Sequence, residues 1–234
     1  MENLAIEAEK ISFSYPDQRD VFKNISFKIK KGESVALIGA NGAGKSTLLL
    51  HLNGLLKGTG ILKINGKVTD KKNLKEIRRL AGIVFQDSSS QLFMPSVFDD
   101  VAFGLENLGF SKEETKAKVF NILKEIGIYD KKEKFSHHLS IGEQRKTAIA
   151  CVLAMSPEIL VLDEPSSNLD PRSRRNFIQL LKKINVTKII ATHDLDMAMD
   201  LCERTILLSD GRVFADGKSE DILNDKILLE KAGL

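Results

Sequence analysis

Apolar and polar residues alternate in Ile11-Ser12-Phe13-Ser14-Tyr15 and again in Ile25-Ser26-Phe27-Lys28-Ile29, the two-residue period of strands with one buried face. The pattern predicts half-buried antiparallel strands. Gly32 breaks the chain before Val35-Ala36-Leu37-Ile38, a run short enough for a strand buried on both faces. Thr47 to Leu52 reads as helix, and Asn65-Gly66, between Ile61-Leu62-Lys63-Ile64 and Val68, predicts a two-residue hairpin. From about Val97 to Met155 the period becomes helical. Ser111 and Glu114 form a capping-box pattern there, Val119, Ile122, Leu123 and Ile126 share one helix face, and Gly127 is a stop. Strand character returns at Ile159-Leu160-Val161-Leu162. Asp170-Pro171 then caps a helix carrying Phe177, Ile178, Leu181 and Ile184 on one side. Lys188 to Thr192 is a further strand, Asp194 caps the helix through Leu201, and Asp210-Gly211 turns a last hairpin. Strand–loop–helix alternation predicts an α/β fold with a mainly parallel sheet covered on both faces, interrupted by a helical subdomain.

Composition narrows the function without naming it. The 234 residues carry 35 basic and 32 acidic side chains, a net charge of +3, and no lopsided basic cluster that would announce a nucleic-acid binder. Cys151 and Cys202 show no metal-ligand spacing and read as small hydrophobes in a reducing compartment. The opening MENLAIEAEK lacks a basic stretch followed by an apolar one, so no secretory signal is expected. The apolar runs are of strand length, far short of a membrane span. The expected setting is the cytosol, with any membrane association made by docking.

Gly39-Ala40-Asn41-Gly42-Ala43-Gly44-Lys45-Ser46-Thr47 fits G-x-x-x-x-G-K-[ST] and lies between a predicted buried strand and a predicted helix. Chance alone supplies this pattern in about one chain in a hundred of this length, and the strand–loop–helix setting makes accident rarer still. Glycines let successive N–H groups wrap a triphosphate, and the helix N-terminus adds its positive end. Lys45 would neutralise the β- and γ-phosphates, and Ser46 would give Mg²⁺ a hydroxyl ligand.

Asp163-Glu164 follows directly on the strand at 159–162, at the sheet edge where ligands bind in parallel α/β folds. Asp163 would hold Mg²⁺ through water, and Glu164 would polarise the attacking water. His193 ends the strand from Lys188 to Thr192 and can reach the same crevice. Gln86 ends Gly82-Ile83-Val84-Phe85, and weighed singly is a loop residue.

Together with Leu139-Ser140-Ile141-Gly142-Glu143-Gln144, these residues resemble the ATP-binding cassette ATPases over nearly the whole chain. The order of stations is that of the family: a base-stacking aromatic at Tyr15, the phosphate loop, the Q-loop at Gln86, the signature at 139–144, the Asp163-Glu164 pair, the D-loop Ser167-Asn168-Leu169-Asp170, and the switch His193. The resemblance implies catalytic roles for Glu164, His193 and Gln86. It implies nucleotide contacts from Tyr15 and from Gly39, Asn41, Gly42, Ala43, Gly44, Lys45, Ser46 and Thr47. Mg²⁺ would be bound by Ser46, Gln86 and Asp163, and Ser140, Gly142 and Glu143 would reach the ATP of a partner subunit. The implied layout is one nucleotide-binding domain over residues 1–234. About 1–86 and 156–234 would form the β subdomain and P-loop core, and about 87–155 the helical signature subdomain.

Ser140 and Glu143 form a second capping-box pattern, so the signature opens a helix whose N-terminus can face a γ-phosphate. Ile141 stands where the family usually has glycine. A β-branched side chain is poorly tolerated at positive φ and keeps ligands further from the backbone, but the contacts expected of Ser140 and Gly142 survive, so activity is expected to be kept, with a slower rate no surprise.

A narrower likeness lies in Phe85-Gln86-Asp87, in Gln91-Leu92-Phe93-Met94-Pro95-Ser96-Val97 and in Asp100-Val101-Ala102-Phe103-Gly104. These resemble the ATPases of energy-coupling-factor importers, especially the cobalt/nickel type, as do residues 153–158 and Ala215-Asp216-Gly217. Such importers imply a second ATPase (a copy or a relative), a transmembrane coupling protein, a separate substrate-binding membrane protein, and a place on the cytoplasmic face of the membrane. The stretch Leu92, Phe93, Val97 and Phe98 would be the groove for coupling helices, or plain core. Two alternatives stand beside the importer: a soluble ATPase of the same family uncoupled from transport, and a low-turnover regulatory subunit. The Asn-Lys-x-Asp motif that selects guanine is missing.

Overall fold

The computed structural model describes residues 3–16 and 20–234. In chain order the strands and helices begin with β1 (Leu4–Ser14), β2 (Asp20–Lys30), β3 (Ser34–Gly39), α1 (Lys45–Leu52), β4 (Thr59–Ile64), β5 (Lys67–Val68), α2 (Leu74–Leu80) and β6 (Ala81–Val84). Three helices follow, α3 (Val97–Asn107), α4 (Lys112–Ile126) and α5 (Ile141–Ala154). Then come β7 (Ile159–Asp163), α6 (Pro171–Lys183), β8 (Thr187–Ala191) and α7 (Leu195–Leu201), and last β9 (Arg204–Ser209), β10 (Arg212–Lys218), α8 (Ser219–Leu223) and α9 (Lys226–Lys231). They fall into two compact units. One comprises Met1–Ile83, Glu158–Glu164 and Asn185–Leu234, the other Val84–Pro157 and Pro165–Ile184.

The first unit is built on a six-stranded sheet of order β10-β9-β3-β8-β7-β6. β3 runs parallel to both β8 and β9, and β7 parallel to β8. Every residue of β7 and β8 is buried, as is every residue of β3 after Ser34, which is why these strands carry unbroken apolar runs rather than alternation. β10 closes one edge antiparallel to β9, and its residues alternate exposed and half-buried.

A second, antiparallel sheet of the same unit has the order β2-β1-β4-β5. The alternation read from Ile11 is the second half of a longer strand, since β1 starts at Leu4. Its register slips between Ala8 and Ile11 beside Lys10, whose φ is 48, and this bulge breaks the two-residue period in the sequence. Both predicted two-residue hairpins are present, with left-handed Asn65 (φ 48) and Gly66 (φ 77), and Asp210 (φ 47) and Gly211 (φ 66). Their surroundings differ. A Cβ on Gly66 would meet nothing within 4 Å, whereas one on Gly211 would lie 2.4 Å from the Val21 carbonyl oxygen. The Lys23 N–H also donates to the Gly211 carbonyl at 2.9 Å, tying the second turn to β2.

The second unit is helical. α4 starts at a complete capping box of Ser111 and Glu114 and stops at left-handed Gly127, with Val119, Ile122, Leu123 and Ile126 buried. α6 is capped by Asp170, whose carboxylate accepts from the N–H groups of Arg172 and Ser173, and it buries Phe177, Ile178 and Leu181. Asp100, only 5 % exposed, accepts from the N–H groups of Phe93 (2.9 Å) and Met94 (3.0 Å) and from the Ser136 hydroxyl, which pins the 92–96 loop.

That loop corrects one expectation. Leu92 and Val97 are buried and cannot line a surface groove, while Phe93 stands exposed, edge-on to exposed Phe103 with ring centroids 5.1 Å apart. The apolar surface is the Phe93–Phe103 pair. Of the two cysteines, Cys202 is buried as expected, but Cys151 is half-buried.

Candidate nucleotide site

β3 ends in a loop that its sequence makes unusually tight. A Cβ on Gly39 would lie 2.4 Å from the Leu208 carbonyl oxygen and 3.2 Å from the Ala43 Cβ, so only glycine lets the loop pass so close to β9. The Ala43 N–H donates back to the Ala40 carbonyl (3.1 Å), and left-handed Gly44 turns the chain into α1, where Leu48 N–H donates to the Gly44 carbonyl. Lys45, 7 % exposed, folds its ammonium inside the loop and donates to the carbonyls of Gly39 (2.7 Å) and Ala40 (3.1 Å). Burial pushes its pKa below the usual lysine range, and the charges of Glu164 and Asp163 pull it back up. Asn41, Gly42 and Ser46 are exposed around it and Thr47 is half-buried.

Parallel pairing sets the two carboxylates beside this loop. Asp163, the last residue of β7, pairs with Ala191 of β8, and the Glu164 N–H donates to the Ala191 carbonyl at 2.8 Å. Glu164 is left-handed at φ 44, a conformation that costs a non-glycine residue about 1–3 kcal/mol and is held by its surroundings. Its Oε2 accepts from His193 Nδ1 (2.8 Å), from the Thr192 hydroxyl (3.3 Å) and from the His193 N–H (3.4 Å). A carboxylate only accepts, so this pairing places a proton on His193 Nδ1. Asp163 is pushed above the usual carboxylate range by burial and by the Glu164 charge, against the Ser46 hydroxyl bond and the Lys45 charge. Its Oδ1 is buried with no partner among the described residues, the state expected of an oxygen reserved for a cation. With the Ser46 hydroxyl beside it, the donor set is all oxygen and suits Mg²⁺.

Tyr15 follows β1 and stands half-buried, edge-on to Phe13 at 4.9 Å, with its hydroxyl 3.4 Å from that of Thr47. The first unit thus brings together Tyr15, the 39–47 loop, Asp163, Glu164 and His193. Gln86, Ser140, Gly142, Glu143, Ser167 and Asp170 belong to the second unit.

There Ser140 caps α5. Its hydroxyl accepts from the Glu143 N–H, and the Glu143 carboxylate accepts from the Ser140 N–H at 3.0 Å. That backbone bond holds the Glu143 carboxyl below its ordinary range. Ile141 is the first helical residue, with its side chain 52 % exposed and no positive φ. The backbone conflict expected of a β-branched residue at this position does not arise. Ser140, Gly142, Glu143, Lys146, Leu169 and Ser173 line most of a groove of about 100 Å³. Arg145, a buried residue of α5, donates to the Ser167 carbonyl (3.2 Å) and hydroxyl (3.4 Å), while the Asp170 carboxylate is engaged by the start of α6. Gln86 is exposed, two residues past the end of β6 rather than at it.

Sequence reasoning missed Thr192 and Lys146. Lys146 was legible as three and four residues on from Glu143 and Gly142 along one helix. Thr192 was counted only as a strand end.

A buried strand, a glycine-bounded loop closed around a lysine, a helix starting at that lysine and two carboxylates at the end of β7, parallel to β3 with β8 between them, define a P-loop nucleoside triphosphatase. A family model described as ABC transporter matches residues 22–167. The chain belongs to the ABC transporter family, among its ATP-binding ATPase proteins. It is 51 % identical over 230 residues to an ABC transporter ATP-binding protein of Geobacter sulfurreducens, covering 97 % of this chain and 92 % of that one. It is 46 % identical over 236 residues to the energy-coupling factor transporter ATP-binding protein EcfA of Carboxydothermus hydrogenoformans, covering 99 % and 87 %. Among solved structures, CbiO1 of Clostridium perfringens, described as part of the ABC transporter complex CbiONQ, is similar at a TM-score of 0.87. The two are 38 % identical, over 98 % of this chain and 94 % of that one.

Proposed function

We propose that this chain is the ATP-hydrolysing motor subunit of an energy-coupling-factor importer, working as a dimer on the cytoplasmic face of the membrane. The observation that carries the motor reading is Glu164 fixed by His193 and Thr192 within the unit that holds Lys45 and its loop. In this reading Tyr15 supports the base, and the N–H groups of 39–47 with Lys45 grip the triphosphate. Mg²⁺ held by Ser46 and Asp163 would neutralise charge on the β- and γ-phosphates. Glu164 takes a proton from the attacking water, and His193 Nδ1–H keeps the carboxylate aimed. The helix start at Ser140, with Gly142 and Glu143, presents its positive end and free surface to the γ-phosphate bound by a second copy or a related ATPase. Closure of that dimer would move a transmembrane coupling protein, and hydrolysis would reopen it.

The relatives named EcfA support the energy-coupling-factor class, and CbiO1, part of an ABC transporter complex, supports a transport role. Cobalt or nickel as the cargo rests on the resemblance of the 85–104 segment, with a vitamin as the other candidate. Among the described residues no helix is long and apolar enough to cross a membrane. The exposed Phe93–Phe103 pair is the surface offered to the coupling protein. Ile141 gives no support to a low-turnover regulatory role, because it sits in an ordinary helical conformation.

Vesicles containing this chain with its coupling and substrate-binding subunits test the reading. Internal ATP should drive uptake of radioactive cobalt or nickel, and Glu164→Gln should stop it. Hydrolysis without uptake of either metal or of any vitamin would remove the importer assignment and leave a soluble ATPase.

A further inference from the structure

We propose that His51 is a positioning residue for nucleotide binding, fixing the aromatic platform at the end of β1 to the first turn of α1. Its side chain is 3 % exposed, and its ring lies edge-on to Phe13 at 4.7 Å and to Phe22 at 5.1 Å. Phe13 is in turn the ring against which Tyr15 stands, at 4.9 Å. On the other side His51 Nδ1 meets the Thr47 carbonyl oxygen at 2.8 Å, and the Thr47 hydroxyl is 3.4 Å from that of Tyr15. Tyr15, Phe13, His51 and Thr47 therefore close a circuit, which connects the residue read as the base support with the helix start that follows the phosphate loop.

The chemistry of the ring identifies what the position uses. A carbonyl oxygen only accepts, so Nδ1 carries the proton and Nε2 keeps a bare lone pair. That Nε2 is buried with no partner among the described residues. The chain closes over it at Gly58, where a Cβ would fall 3.4 Å from Nε2 and 2.2 Å from the Ser12 carbonyl oxygen. A phenylalanine would fill the same slot without burying an unsatisfied nitrogen, a burden that buried polar atoms rarely carry. What phenylalanine lacks is the Nδ1–H donor to Thr47. Burial also holds the ring below the ordinary imidazole range, so the neutral form, with its single donor, prevails near neutral pH.

The inference rests on Tyr15 as base support, and the experiment separates the two. Dissociation constants for ATP and for inorganic tripolyphosphate, which has no base, are measured on the full chain and on three variants. His51→Phe keeps the ring and loses the donor, His51→Asn keeps a donor and loses the ring, and Tyr15→Ala removes the platform. Both His51 variants should weaken ATP about three- to tenfold, the value of one aromatic contact. Tripolyphosphate binding should stay within about twofold, and Tyr15→Ala added to either should cause no further loss of ATP affinity. His51→Phe fills the slot and decides the matter should the smaller variant fold poorly. If ATP and tripolyphosphate weaken equally, or if the losses from His51 and Tyr15 simply add, the positioning role is overturned. If Tyr15→Ala weakens ATP and His51→Phe does not, His51 fails while the platform stands. If Tyr15→Ala itself has no effect, the platform fails and His51 with it.

Discussion

Glu164→Gln removes one charge and keeps the shape of the side chain. In the structure Oε2 accepts from His193 Nδ1 at 2.8 Å, the Thr192 hydroxyl at 3.3 Å and the His193 N–H at 3.4 Å. An amide oxygen can accept from the same donors, so folding loses only the difference between charged and neutral acceptors, about 1 kcal/mol. Water screens part even of that, because the His193 side chain is 65 % exposed. At about 2–4 °C per kcal/mol for a chain of this size, the melting temperature should move by no more than about 4 °C. Catalysis loses far more. An amide cannot take a proton from water, and a positioned general base is worth about 10²–10⁴ in rate, or about 2.7–5.5 kcal/mol of barrier. Phosphate release at saturating Mg-ATP should fall at least about a hundredfold, while calorimetry should find ATP affinity within about threefold of the parent. Turnover within threefold of the parent would refute the role. A matching loss of affinity would make Glu164 a nucleotide ligand instead.

Three further outcomes follow from geometry. Ser140→Ala removes the cap of α5 and should lower stability by about 0.5–2 kcal/mol in urea melts, reducing turnover while ATP binding to the phosphate loop persists. Gly39→Ala drives a Cβ to 2.4 Å from a β9 carbonyl that cannot yield, so a loss of about 1–3 kcal/mol and of ATP binding is expected by melting and calorimetry. Burial lowers the His51 pKa, so below about pH 6.5 the unfolded chain binds more protons than the folded one. This contribution to stability is present above that pH and is lost as the pH falls. Urea midpoints across that range should drop, and His51→Phe should flatten the decline.

What the sequence revealed and what it hid have separate physical causes. Caps and turns were legible because their chemistry is local: Ser111 with Glu114, Ser140 with Glu143, Asp170, Asp194 and both Asx-Gly hairpins each act within a few residues. The buried strands were legible because apolar runs of that length have few other uses. The start of β1 was hidden by a bulge near Lys10, where the register slips against both β2 and β4. The short helices α2, α8 and α9 went unmarked because each offers only one to three buried positions, too few to show a period. Leu92 and Phe93 look equally apolar in sequence, and only the Asp100 bonds to the loop decide which of them turns inward. His51 carried no signal at all, since its partners come from β1, β2 and its own helix and converge only on folding.

The two Asx-Gly hairpins are alike in sequence and backbone angles, but they differ in what they would bear. A fluorophore loop or epitope tag spliced in after Gly66 enters open solvent, at a tip where longer connections cost little. The same graft after Gly211 would prise the turn from β2, the strand that carries Phe22 against the His51 ring. Reporters meant to follow this protein at work belong at the first turn. An insertion at the second would act as a lever on the base platform.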